Sequence, residues 1–133
     1  MKISTKGRYG LLIMLYLANN QEDRFISLKE IAEKENISIK YLEKIMLNFK
    51  NTDYFIRARG VDGGYRLKHS PNKYIIGDIL KNAEGNINVV ECLNNDTCPK
   101  KTKCKTYKIW NDLNKVINDY LYSKTLDDYI ERN

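Results

Sequence analysis

The three cysteines of this 133-residue chain all fall in one short stretch, as Cys92, Cys98 and Cys104. Thiolates gathered this way are the usual means by which a polypeptide holds a soft metal or an iron–sulfur cluster. Each interval is a cysteine, five residues and another cysteine. That is wider than the Cys-x-x-Cys of zinc ribbons and thioredoxin-like sites, and it suits an irregular loop wrapped round a cluster. Asp96–Thr97–Cys98–Pro99 stiffens the middle of that loop, and Lys100, Lys101, Lys103 and Lys105 favour the thiolate form. A zinc or iron–sulfur site normally takes four ligands. The fourth could be Tyr107, Asp96, Glu91, a group from a partner subunit or a small molecule. The sole histidine, His69, belongs to a different segment and reads as a surface residue. Three unliganded thiols, or redox-active thiols without metal, are the competing readings. A cysteine nucleophile would need a nearby base such as histidine, so no enzyme is expected.

Such a loop needs elements to position it. Thr5–Ala18 should form a first helix, with Tyr9, Leu12, Met14, Leu15 and Leu17 on its apolar face. Ser27–Leu28–Lys29–Glu30 has the capping-box form and should start a second helix. Asn36 suits the left-handed turn that ends it. Ser38 can then cap a third helix carrying Tyr41, Leu42, Ile45 and Met46. Two short helices joined by a tight turn have helix-turn-helix geometry. Phe55–Arg59 and Tyr65–Lys68 read as strands, with Gly60–Val61–Asp62–Gly63–Gly64 as the hairpin turn between them. A hairpin in that place is a wing. Ile75–Ala83 should be a fourth helix and residues 84–104 a loop. From Thr106 onward Ile109, Trp110, Leu113, Val116, Ile117, Tyr120 and Leu121 make a wide apolar stripe, more than one helix on a small domain needs. A dimer interface accounts for it better than core packing, because winged helices commonly pair to read palindromic sites. Thr125–Leu126–Asp127–Asp128 could cap a last helical turn.

The formal net charge is +6. Residues 1–70 carry a net +5 and residues 71–133 a net +1. The first half is therefore the better candidate for contact with phosphate. Lys40, Tyr41, Glu43 and Lys44 lie in the first part of the third helix, the part that reaches base edges in the major groove. Lysine can read guanine or neutralise phosphate, and glutamate can accept from a cytosine amino group. Arg57 and Arg59 fall on one face of the wing, and Arg59 at the turn could enter a narrow minor groove. The apolar run Leu11–Ala18 is too short to span a membrane. No cleavage site follows it, so a cytoplasmic protein is expected.

Ile3–Ser4–Thr5–Lys6–Gly7–Arg8–Tyr9–Gly10, Ile37–Ser38 with Tyr41–Leu42–Glu43, and Arg59–Gly60 with Gly63–Gly64–Tyr65 and Leu67 resemble the Rrf-two family of bacterial winged-helix regulators. The resemblance covers almost the whole chain. The cysteine spacing is similar to the IscR/NsrR-like iron–sulfur branch, while the N-terminal run is also CymR-like. Members of the first branch place a histidine where this chain has Tyr107, or an aspartate where it has Arg8. The resemblance implies a mostly α winged helix-turn-helix with a two-stranded wing and a long C-terminal dimerisation helix. It divides the chain into a DNA-binding domain (1–83), a cluster loop (84–104), and a dimerisation helix with its tail (105–133). It implies a homodimeric repressor on a palindromic DNA site. DNA contact carries over to Ser38, Tyr41, Glu43 and Arg59, with Lys40 and Lys44 added from their place on the helix. Cys92, Cys98 and Cys104 would hold a cluster, [2Fe–2S] rather than [4Fe–4S]. Control by a partner protein or by thiol oxidation is the alternative.

Overall fold

The computed structural model describes residues 2–20, 23–93 and 103–132. Helix α1 spans Thr5–Asn19, and its N-cap Ser4 accepts from the Lys6 N–H. Gly7, Gly10, Ile13, Met14 and Leu17 are among its buried residues. That face turns Leu12 aside: it is half-buried but does not join the core cluster. Helix α2, Leu28–Glu35, begins at Ser27, whose hydroxyl accepts from the Glu30 N–H at 3.0 Å. The Glu30 carboxylate does not complete the expected box. It turns outward to accept from the Tyr16 hydroxyl and from both terminal nitrogens of Arg24. Asn36 ends α2 in the left-handed region, at φ 55° and ψ 51°. Ser38 then caps α3, Ile39–Met46, which tightens into a 3₁₀ turn at Leu47–Phe49.

The wing is the antiparallel pair β1, Phe55–Ala58, and β2, Gly64–Leu67, in register Arg57↔Tyr65. Each strand stops one residue short of its expected far end, leaving Arg59 in the turn and Lys68 beyond the sheet. Gly60 and Gly64 have φ of 102° and 147°, values that side chains with a Cβ rarely adopt. Ile26 adds a bridge to β2 that is not evident from sequence: its N–H and C=O both pair with Tyr65 at 2.8 Å. The wing is thereby fastened to the segment that leads into α2.

Helix α4, Ile76–Glu84, crosses α1 closely. A Cβ on Gly10 would lie 3.0 Å from the Ala83 Cβ and 3.1 Å from the Phe49 ring, and one on Gly7 would collide with the Glu84 carboxylate. Small residues on α1 are what let the two helices approach. Residues 85–93 are more than a linker, since Ile87 and Val89 are buried and Glu91–Leu93 forms a 3₁₀ turn. Helix α5, Tyr107–Tyr122, has no buried residue of its own. The chain then turns back. Ile76 N–H donates to the Lys124 carbonyl and Leu126 N–H to the Tyr74 carbonyl. Asp128 completes a capping box with Thr125. Leu126 is 1% exposed, inside the same core as Ile13, Leu42 and Ile79.

Candidate nucleic-acid interface and cysteine segment

Helix α3 is strongly two-faced. Leu42, Ile45 and Met46 are buried, while Lys40, Glu43, Lys44 and Leu47 are exposed along one side. The 3.6-residue period puts positions 40, 43, 44 and 47 on that common face. The side chains of Lys40, Glu43 and Lys44 make no ion pair or hydrogen bond among the described residues. Ser38 stands at the helix start, its Oγ accepting from the Tyr41 N–H at 3.4 Å. Tyr41 lies to one flank. Its ring packs edge-on against Tyr9 of α1, with centroids 5.7 Å apart at 85°, so it also ties α3 to α1.

Two long-range contacts hold this face in place, and neither is signalled in the sequence. Asn48 Nδ2 donates to the Ala83 carbonyl at 3.3 Å. Glu84 Oε1 accepts from Ser4 N–H, Ser4 Oγ–H and Gly7 N–H at 2.8, 2.6 and 2.8 Å. One carboxylate at the end of α4 thus satisfies donors at the start of α1 that have no partner within their own helix, and its charge complements that helix end.

On the wing, Arg57 lies 5.5 Å from the centre of the Tyr65 ring and Arg66 lies 5.1 Å from that of Phe25. Arg59 is exposed at the start of the turn and has no side-chain partner among the described residues. At the wing's base Asp53 pairs with Lys68 at 2.6 Å and His69 at 3.0 Å. Lys68 first, and then His69, hold the Asp53 carboxyl below its usual range. His69 is thus a surface residue paired to a carboxylate, remote in role from the cysteines.

Cys92 is half-buried in the Glu91–Leu93 turn, and Cys104 is exposed three residues before α5. Neither is in a disulfide. Cys104 Sγ lies 3.5 Å from Thr106 Oγ1, and its carbonyl accepts from the Tyr107 N–H. Cys98, with Asp96, Pro99, Lys100 and Lys101, lies outside the described residues. Among the described residues no three of His, Cys, Asp and Glu gather as a metal site, and two of the three cysteines are all that set contains. The donors present are two soft sulfurs, Cys104 flanked by Lys103 and Lys105, and Cys92 in a turn where Glu91 is the one carboxylate. That chemistry suits an iron–sulfur cluster and not a hard cation.

A helix-turn-helix followed by a hairpin, with an exposed basic face on its second helix, defines a winged-helix DNA-binding regulator. The pattern of the Rrf2 family, described as iron-dependent transcriptional regulator, matches residues 3–132, and the chain belongs to that family. It is 30% identical to the regulator IscR of Vibrio campbellii, over 100% of this chain and 79% of the relative. Its fold matches the global cysteine regulator CymR of B. subtilis with a TM-score of 0.79 at 37% identity, covering 97% of this chain and 95% of the other. It matches the oxidized form of Staphylococcus aureus CymR with a TM-score of 0.77 at 34% identity, covering 100% and 98%. The protein is accordingly a transcriptional regulator and not an enzyme. Among the described residues, no helix is long and apolar enough to cross a membrane.

Proposed function

We propose that the protein is a cytoplasmic, homodimeric repressor that reads a palindromic promoter site and changes its affinity with the state of an iron–sulfur cluster. The observation that carries the reading is the exposed face of α3, where Lys40, Glu43 and Lys44 lack partners among the described residues beside a wing that ends in Arg59. Ser38 and Lys40 at the helix start meet the backbone of the duplex, and Tyr41 steadies the helix against α1 while its outer edge faces the groove. Lys44 and Glu43 reach base edges, where glutamate accepts from a cytosine amino group. Arg59 enters the adjoining minor groove. The exposed stripe of α5, with Ile109 57%, Val116 66% and Tyr120 56% accessible, pairs two copies so that their α3 helices meet half-sites roughly 34 Å apart.

Cys92, Cys98 and Cys104 would hold the cluster, [2Fe–2S] being favoured. When bound, the cluster supplies a redox- and iron-responsive centre. The chain's own part is to present three thiolates from a segment whose first turn is tied to α5 through Asn88 and Asn114. Tyr107, at the first turn of α5, stands near Cys104 as a candidate fourth ligand. Likeness to IscR supports the three-cysteine site.

The decisive experiment is an ultraviolet–visible spectrum of anaerobically purified protein, with iron and acid-labile sulfide assayed on the same sample. Broad visible absorption that disappears in a Cys92→Ala, Cys98→Ala, Cys104→Ala protein is the expected result. Full cluster retention in the triple variant would rule out this site. The second reading is a regulator governed by a partner protein or by thiol oxidation. It is favoured by the 37% identity to CymR, and by Tyr107 standing where the IscR-like histidine would be. A colourless protein that resists reconstitution and co-purifies with a stoichiometric partner would establish it.

A further inference from the structure

We propose that Asn88 and Asn114 are positioning residues for Cys92, clamping its turn to α5. The inference rests on the cluster reading above and names how the first ligand is held. Asn114 sits in the middle of α5 and uses both ends of its amide. Its Oδ1 accepts from the Val89 N–H at 2.9 Å, and its Nδ2 donates to Asn88 Oδ1 at 3.1 Å. Asn88 Nδ2 in turn donates to the Leu93 carbonyl at 3.1 Å. Leu93 N–H closes the turn on the Val90 carbonyl at 3.2 Å. These bonds grip the chain on both sides of Cys92, just before it at Val89 and just after it at Leu93. Beneath them Ile87 and Val89 are buried at 7% and 6% exposure, so the base of the turn is seated in apolar surroundings.

The same helix also fixes the last cysteine. Tyr107, the first residue of α5, donates its N–H to the Cys104 carbonyl. Tyr107 and Asn114 are seven residues apart, two helical turns, and therefore share a face of α5. One rigid helix thus sets Cys104 through its first turn and Cys92 through Asn114. Asn88 and Asn114 are both half-buried, where an amide left without a partner costs more than one returned to water. The pair therefore resists slipping, as groups that orient metal ligands must.

The test has two arms. In the first, a form with Cys98→Ser and Cys104→Ser leaves Cys92 the one thiol, and its alkylation by iodoacetamide is timed. Asn114→Ala and Asn88→Ala should each raise that rate about two- to tenfold, the span expected from one to two lost hydrogen bonds. Asn118→Ala should leave it unchanged, because that amide reaches the Asn114 backbone carbonyl instead. Asn114→Asp, which keeps the acceptor for Val89 but cannot donate to Asn88 as a carboxylate, should fall between and covers failure of the alanine variant to fold. In the second arm, the full-cysteine protein is reconstituted with iron and sulfide and challenged with a chelator. Cluster lifetime should shorten about tenfold or more in Asn114→Ala, as for other groups that orient ligands. Unchanged alkylation in both alanine variants overturns the clamp. Faster alkylation with an unchanged cluster lifetime overturns the ligand-positioning role. Wild-type protein that takes up no iron overturns that role together with the cluster reading, and is distinguished because the alkylation arm still decides the clamp itself.

Discussion

Lys40, Glu43 and Lys44 occupy one face of a helix only two turns long, and the proposed reading gives each a separable job. Lys40→Ala and Arg59→Ala should weaken binding on every sequence, and each should lower the salt slope of affinity by about one. Glu43→Ala should instead alter base preference more than total affinity. Competition binding across a promoter library distinguishes the two, and equal weakening on all sequences would remove Glu43 as a reader. Glu84 is a different kind of residue, because its carboxylate accepts from donors at the start of α1. Glu84→Ala leaves Ser4 and Gly7 donors without their acceptor and should cost about 1–3 kcal/mol in urea unfolding. Tyr16 offers a check through pH. It is pushed up to about 12, first by burial and then by the hydrogen bond it donates to the Glu30 carboxylate. The fold therefore favours neutral Tyr16, which gives stability that is complete below pH 10 and lost as pH rises through about 12. Tyr16→Phe should abolish that part of the alkaline loss, seen as a narrowing stability difference from wild type between those values. Glu30 has the opposite sign. Arg24 first, aided by the Tyr16 hydroxyl, holds its carboxyl below the usual range, so its contribution fades as pH falls through that lowered value.

At the scale of elements, Gly64 decides where the wing goes. Its φ of 147° strains any residue with a Cβ, and that Cβ would run into the Ile26 carbonyl. Backbone cannot move aside as a side-chain tip can. Gly64→Ala should therefore cost about 1–3 kcal/mol and break the Ile26–Tyr65 pairing, with faster hydrogen exchange at the Tyr65 amide as the measurement. This element also shows what the sequence disclosed and what it withheld. The caps at Ser27, Asn36 and Ser38, the glycine turn and the two faces of α3 were legible because each depends on neighbours within a few residues. The Ile26 bridge, the Glu84 cap and the Asn88–Asn114 pair were not, because they join residues from 26 to 80 positions apart and leave no periodic trace. Glu30 shows the limit of a local motif: its spacing is right for a capping box, yet Tyr16 and Arg24 claim the carboxylate. Leu12 is similar, an apolar residue on a helix whose inner face takes in Gly7 and Gly10, which carry no hydrophobic signal, beside Ile13, Met14 and Leu17. The exposed face of α3 could be chosen from charge and period, whereas no such rule identifies a fourth ligand to three cysteines.

For the whole molecule, α5 is the element least satisfied within one chain. Ile109, Leu113, Val116 and Tyr120 follow helical spacing and stay exposed, at 57, 43, 66 and 56%. Leu113→Glu places a charge in the middle of that stripe. In sedimentation it should convert a dimer to a monomer, and on DNA it should remove tight binding to paired half-sites while sparing the weak binding of a single half-site. A Leu113→Glu protein that stays dimeric would move the interface elsewhere. Leu126, beyond that helix, gives the molecule a property set by the order of synthesis. The exposed face of α3 lies in the first half of the chain, yet the core beneath it takes in Leu126, whose N–H donates to the Tyr74 carbonyl. During translation α3 is therefore made long before its core is complete, and a nascent chain halted short of residue 126 exposes an apolar cleft where a finished regulator has a seal.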